Sequence, residues 1–368
     1  MDAILKKTDR KLVLESGEEF AGWGFGGNEE RVCELAFCTA AAGYQELLTD
    51  PGCAGTAMVM TYPLIGNTGI ADEDNESRGL VVGALLVREY NDVPSNFRYT
   101  KTLAEAMEES GVPGIAGLDT RMLTRHIRDN GSCRCLITSI NTPLEAALAT
   151  LRRTPEDHDA VKRVSCRKRW YSRTANPRYH AAAIDCGIKM SEIRALKDRG
   201  CNVTVFPYNA SLSELEAAGA DGVLVAGGPG SPDDIPETVE LIRALRGRTP
   251  VLGIGLGCLA IALAYGAQPV KMKCGHHGGN HPVRRLSDGR ILITAQGHSW
   301  TLDADSLADA GLEITHIDLT DHTVEGIACR AEGVYGVLFN PEGASGPRDA
   351  IGLYDEWMGL MKEDKENA

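Results

Sequence analysis

From residue 180 onward the sequence alternates short apolar runs with amphipathic segments, and few architectures accept that rhythm. The apolar runs His180–Cys186, Asn202–Phe206, Asp221–Ala226 and Val251–Ile254 read as strands. Between them Ser191–Arg199, Ser211–Ala218 and Pro236–Leu245 read as helices. Strands separated by helices of this length imply a parallel sheet joined by right-handed crossovers, an α/β doubly wound fold. Further strands are expected at Arg290–Ala295, Glu313–Asp318 and Gly333–Phe339, so the sheet is mixed but mostly parallel. A helix over Asp349–Met361 and a frayed tail over 363–368 close the chain.

The stretch TPVLGIGLGCLAIALAYG, residues 249–266, has the form of a nucleophile elbow. The strand Val251–Ile254 runs into a helix expected over Leu259–Tyr265, and Gly253 and Gly257 flank the bend. The bend itself is Gly255, which has no side chain. Upstream, Gly227-Gly228-Pro229-Gly230-Ser231-Pro232 follows another strand. Ligands of doubly wound sheets gather at the carboxyl ends of strands. A glycine-rich loop beside an elbow is how backbone N–H groups are assembled into an oxyanion hole.

The first 150 residues have a different texture. Strands are expected at Lys11–Leu14 and Glu19–Ala21 as a hairpin, then at Val32–Cys38, Thr56–Thr61, Gly79–Val87 and Cys135–Ser139. Helices are expected at Thr102–Ser110 and at Thr120–Asp129, the latter bracketed by Asp119 and by Asn130-Gly131. This predicts a smaller α+β domain over 1–150, a basic linker over 151–179 and the α/β domain over 180–362. The linker segment carries nine Lys or Arg against three Asp or Glu, with no sustained period. A basic strip facing an acidic partner is the other reading of it.

Composition excludes several classes. A net charge of −13 argues against nucleic acid as a partner, because phosphate contacts need a basic footprint. The longest apolar runs fall short of a membrane span, and the N-terminal residues lack a signal-peptide core. Eleven scattered cysteines suit free thiols in a reducing cytoplasm. Cys274-Gly-His276-His277-Gly-Gly-Asn-His281 is rich in potential ligands, but no second ligand pair at zinc-ribbon spacing follows. It reads as a glycine-rich structural loop, and no metal or other cofactor is expected in this chain.

At this point the sequence resembles a known family. The second half is similar to class I, triad-type glutamine amidotransferases. The whole chain resembles the small, glutamine-hydrolysing subunits of carbamoyl-phosphate synthetase. The motifs that carry the likeness are Ala42–Pro51 (AGYQELLTDP), Thr61–Asn67 (TYPLIGN), Ser95–Arg98 (SNFR), Leu118–Arg125 (LDTRMLTR) and Lys271–Val283 (KMKCGHHGGNHPV). The resemblance implies a cysteine nucleophile, a histidine acid/base and an orienting glutamate that release ammonia from glutamine. It also implies a large-subunit partner that binds ATP, Mg²⁺ and bicarbonate and receives that ammonia, serving arginine and pyrimidine biosynthesis.

Carried over residue by residue, the resemblance gives an eroded site. The family's G-I-C-L-G-H-Q is Gly253-Ile254-Gly255-Leu256-Gly257-Cys258-Leu259 here, so the nucleophile position is Gly255. The family's H-P-E is Asn340-Pro341-Glu342, which leaves Glu342 as the surviving triad member and Asn340 in place of the base. The glutamine-pocket positions fall at Ala40, at Leu259 and at Gly297, Ser299 and Trp300 of the stretch Gln296-Gly297-His298-Ser299-Trp300 that stands for the family's Q-N-H-G-F loop, while Gly228, Gly230 and Leu256 are kept for the oxyanion hole. An engineered knockout would change one residue; here Ala40, Gly255, Leu259, Gly297, Ser299 and Asn340 depart together. The expectation is a subunit without glutaminase activity that supports an ammonia-fed large subunit. Two alternatives stand beside it: a glutamine hydrolase that uses Cys258 with help from His298, and a stand-alone pseudoenzyme that binds another small ligand.

Overall fold

The structure is a computed structural model that describes residues 7–367, with side chains described through Lys362. The chain divides into two compact units, Met1–Glu156 and Asp157–Ala368.

The first unit is a closed barrel. Its strands are β1 (Arg10–Leu14), β2 (Glu19–Gly26), β3 (Arg31–Cys38), β4 (Thr56–Met60), β6 (Ala84–Leu86), β8 (Pro113–Ala116) and β9 (Arg134–Ser139), in the order β1-β2-β8-β6-β4-β3-β9. The short strands β5 (Leu64–Ile65) and β7 (Glu89–Tyr90) pair separately. Helices α1 (Tyr44–Thr49), α2 (Leu103–Glu109) and α3 (Thr120–Asn130) belong to this unit. A capping box at Thr102 and Glu105 starts α2, and the Asp119 carboxylate accepts the Met122 N–H to start α3. The apolar run Gly79–Val87 is strand only over Ala84–Leu86, since Gly83 sits against the Gly55 carbonyl and the Cys33 sulfur where no side chain fits.

The unit extends past residue 150. Helix α4 (Leu144–Arg153) buries Ala147 and Leu151 against Val13 and Leu136 of the barrel. The basic segment 151–179, expected as a linker, also contains α5 (Ala160–Val164) and β10 (Trp170–Ser172). Strand β10 is a sheet edge, and charged residues around an edge discourage pairing with other chains. Those charges concealed the strand in the sequence.

The second unit is built on a ten-stranded sheet. Its remaining strands are β11 (Tyr179–Asp185), β12 (Cys201–Pro207), β13 (Gly222–Val225), β14 (Val251–Ile254), β15 (Pro269–Arg285), β16 (Ile291–Leu302), β17 (Glu313–Asp318), β18 (Val324–Cys329) and β19 (Val334–Val337). The order is β10-β12-β11-β13-β14-β19-β18-β17-β15-β16, parallel from β12 through β19 and antiparallel beyond. The helices are α6 (Met190–Asp198), α7 (Leu212–Ala218), α8 (Pro236–Leu245), α9 (Leu256–Tyr265), α10 (Ala304–Asp309) and α11 (Leu353–Asn367).

Both faces of the parallel part are covered, as such sheets require. Ala182, Ile184, Val223, Val225 and Val251 face a core that includes Val239, Ile242 and Leu245 of α8 and Leu259 of α9. Ala181, Ala183, Leu224, Leu252 and Ile254 face the other, with Ile193 and Leu196 of α6 and Tyr354, Trp357 and Met361 of α11. Helix α11 begins at Leu353 rather than Asp349 and runs to Asn367, so the tail expected to fray from 363 is helical, its side chains lying outside the described ones. Cys274–His281, expected as a loop, is the middle of β15. Its strand character comes from a long ladder with β16 that accommodates the glycines at two register shifts.

Candidate functional site: a glycine elbow

Strand β14 meets α9 at Gly255, whose φ of 52° and ψ of −115° are denied to most L-residues. Its N–H donates to the Val337 carbonyl at 2.8 Å, and its own carbonyl accepts from Cys258 and Leu259 at 3.0 and 3.2 Å. The helix therefore begins at Leu256, three residues before the sequence suggested, because the glycine carbonyl already anchors the first turn. A Cβ built on Gly255 would meet nothing closer than the Gly227 Cα at 3.5 Å and the Leu338 carbonyl at 3.9 Å, so the bend has room for a side chain.

Its neighbours have none. A Cβ on Gly257 would lie 2.1 Å from the Val225 carbonyl, and one on Gly253 would lie 2.7 Å from Gly257. A Cβ on Gly228 would lie 2.2 Å from the Cys186 carbonyl. These three glycines let strand, loop and helix touch. Gly230 has a φ of 85°, and the Asp234 carboxylate beside it accepts the Ser231 N–H at 2.9 Å. The glycine-rich loop thus abuts the elbow through Gly227, as the sequence predicts. With Cys258 and Leu259 donating to Gly255, the Leu256 and Gly257 N–H groups are the ones at the start of α9 with no partner in the helix turn.

Asn340 and Glu342 follow β19, the parallel neighbour of β14, and the Asn340 N–H is held by the Ala295 carbonyl at 2.8 Å. The segment carrying them passes the bend at Leu338. Glu342 is 1% exposed and forms an ion pair with Lys189, which is 3% exposed and whose ammonium also reaches the Ala344 carbonyl at 3.2 Å. The sequence reading missed Lys189; its signal was a lysine just past the turn Asp185-Cys186-Gly187 that ends β11.

The other expected positions are distributed differently. Ala40 lies in the first unit, its N–H on the Cys38 sulfur. Gly297, His298, Ser299 and Trp300 are interior residues of β16, not a loop, so alternate residues point to opposite faces. Trp300 packs against the core that contains α9, and Leu259 is buried in that core. His298 Nδ1 donates to the Trp300 carbonyl at 2.8 Å, and its Nε2 faces Glu325 at 3.4 Å, which commits the ring to the strand. Cys258 is fully buried against Gly336 of β19, and burial pushes its thiol far above the ordinary range.

A doubly wound sheet with a glycine-rich loop against a strand–Gly–helix bend defines an amidotransferase-type architecture, and the comparisons agree. Residues 12–137 match the carbamoyl-phosphate synthase small chain CPSase domain, and residues 182–359 match glutamine amidotransferase class I. The carbamoyl phosphate synthase small chain of Listeria monocytogenes serotype 4b is 42% identical over 98% of this chain and 98% of its own length. That of Bacillus caldolyticus is 43% identical over 96% and 97%. The pyrimidine-specific small chain of Halalkalibacterium halodurans is 40% identical over 98% and 99%. The chain belongs to the carbamoyl-phosphate synthase small-chain family.

Proposed function

We propose that this chain is a carbamoyl-phosphate synthase small subunit that does not hydrolyse glutamine and instead supports, structurally and by coupling, a large subunit fed by free ammonia. The observation that carries this reading is Gly255: the bend where a nucleophile would sit has the strained backbone and the space for one, but no nucleophilic atom. Neither Cys258, Asn340 nor His298 is placed to substitute. The Cys258 sulfur is sealed behind the helix with a raised pKa, and displacement of an attacking atom by even about 1 Å can cost roughly 10²-fold. Asn340 has no titrating nitrogen to serve as base, and the His298 ring is held on β16 by its bond to the Trp300 carbonyl. Glu342, the remaining triad position, is neutralised by Lys189.

The partner reading draws on the first unit. Phe97 is 94% exposed and Tyr62 42%, and both lie in motifs shared with the family. Exposed aromatic residues in loops suit docking to a large subunit, which would bring the ATP, Mg²⁺ and bicarbonate chemistry. The setting is the cytoplasm, in carbamoyl-phosphate supply for arginine and pyrimidines. Among the described residues no helix is long and apolar enough to cross a membrane.

The test is co-expression with the cognate large subunit and comparison of nitrogen donors. Ammonium should support synthesis, and glutamate release from glutamine should stay at background. In a model protease, loss of a triad nucleophile or base costs on the order of 10⁶ in turnover. Glutamine turnover that disappears in Cys258→Ala would install the displaced-nucleophile reading instead. Failure of the two chains to co-elute, with synthesis unchanged by this chain, would favour the stand-alone pseudoenzyme.

A further inference from the structure

Elsewhere in the same sheet, β15, β16 and β18 bring together a group of titratable side chains. His276 of β15 and His298 of β16 are register partners across the ladder, with ring centroids 5.3 Å apart. Glu325 of β18 reaches up between them. All three are buried, at 8%, 7% and 0% exposure.

Their hydrogen bonds fix which atoms face inward. His298 Nδ1 lies 2.8 Å from the Trp300 carbonyl, which can only accept, so Nδ1 carries the proton and Nε2 presents its lone pair. His276 Nε2 lies 2.9 Å from an Asp321 carboxylate oxygen, so a proton points outward there. Burial works against the charged ring, but Glu325 and Asp321 outweigh it and raise the pKa to about 9, so a cation would take the Nδ1 lone pair by displacing its proton. Glu325 Oε2 accepts from Gln296 at 3.1 Å and leaves Oε1 free of hydrogen bonds. His276 Nδ1, His298 Nε2 and Glu325 Oε1 are all buried atoms without a hydrogen-bond partner among the described residues.

Two distances suggest what joins them. Oε1 is 3.4 Å from His276 Nδ1 and 3.4 Å from His298 Nε2. Charge-assisted N–H···O bonds close to about 2.7–2.9 Å, so these pairs are too long to be well-made ion pairs. They match something else. Metal–nitrogen and metal–oxygen bonds of about 2.0–2.1 Å arranged tetrahedrally set ligand atoms roughly 3.3–3.4 Å apart. The outward partners also fit, because metal-bound imidazoles generally donate their other N–H to a carboxylate or a backbone carbonyl.

We propose that His276, His298 and Glu325 form a site for one divalent cation of the zinc class, through Nδ1, Nε2 and Oε1, with a fourth position open to water or a small anion. The ion would tie the β15–β16 ribbon to β18, whose backbone at Glu325 holds the Leu338 N–H beside the elbow. The sequence reading, which expected no metal, had the histidines but not the carboxylate. A second set, His276, His281 and Asp318, shares one of these rings, and the test separates the two.

The test uses the full chain, stripped with a chelator and titrated with Co²⁺ as a spectroscopic stand-in and with Zn²⁺. One tetrahedral Co²⁺ per chain is expected, with visible d–d bands but without the thiolate charge-transfer bands that binding at any of the eleven cysteines would give. Zn²⁺ should displace it. Glu325→Gln keeps the side-chain shape and should weaken binding at least 100-fold, with the circular-dichroism spectrum unchanged. His298→Ala should do the same and His281→Ala should not. Wild-type protein that takes up no more Co²⁺ than Glu325→Gln, or binding lost in His281→Ala and kept in His298→Ala, would overturn the proposal.

Discussion

The elbow and the histidine ribbon lie in one sheet, yet they are opposites. At the elbow the backbone is highly specified: Gly255 takes a strained conformation, and Gly228, Gly253 and Gly257 admit no Cβ, while the residue at the bend itself carries no side chain. In the ribbon the backbone is irregular, with two register shifts, while the side chains are dense in chemistry. His276, His277, His281, His298 and Glu325 crowd together there. Geometry for catalysis and groups able to do chemistry are therefore separable, and a fold can keep one without the other.

The first way to break this comparison concerns the buried ion pair of Lys189 and Glu342. Glu342→Ala would remove a buried carboxylate from the Lys189 ammonium, at a cost of about 3–5 kcal/mol. Urea unfolding of the second unit measures this. A loss below about 1 kcal/mol would show that the pair is dispensable and the elbow's side-chain environment unspecified.

The second concerns acid. Burial, reinforced by Arg285, lowers the His316 pKa from 6.5 to about 4, so the fold favours its neutral form. The stability this contributes is complete above about pH 6.5 and is lost as pH falls toward 4. Between pH 7 and pH 5 the loss from this residue is about 2 kcal/mol. Urea melts at the two pH values should differ by that much less in His316→Asn. An unchanged difference would mean that His316, on β17 beside the ribbon, does not set the acid limit.

A pair of glycine substitutions sharpens the contrast within the elbow itself, and its second member carries the smallest effect. Gly257→Ala drives a Cβ into the Val225 carbonyl and should cost about 3 kcal/mol, offset little by better helix propensity. Gly255→Ala meets open space and should cost only about 1–2 kcal/mol, from the positive φ. The same unfolding experiment ranks the two. Equal costs would show that the bend is as packed as its flanks.

The parallel half of the fold was legible because its signals are local. The Ala181–Ile184 run, the Pro236 start of α8 and the glycine spacing around Gly255 each lie within one element. Gly228 and Gly255 were read from such local signals, whereas Asn340 and Glu342 came only from the resemblance to the family. The ribbon was not, since Gly278 and Gly279 argue against a strand and the ladder with β16 overrides that preference. Glu325 was invisible as a partner of His276 and His298 because three strands distant in sequence bring them together. Lys189 was missed because a lone lysine near a turn ordinarily faces solvent.

The close contacts of Gly228, Gly253 and Gly257 also bear on how such a chain can change over time. Substitution at any of them jams a carbonyl or a packed turn and threatens the whole sheet–helix junction. Substitution at Gly255 threatens only a local conformation. Mutation is therefore filtered unevenly: the glycines that flank the bend are held in place by folding, while the bend itself tolerates change at the cost of a local conformation. A single codon change at Gly255 could place a thiol in a frame that folding maintains for its own reasons.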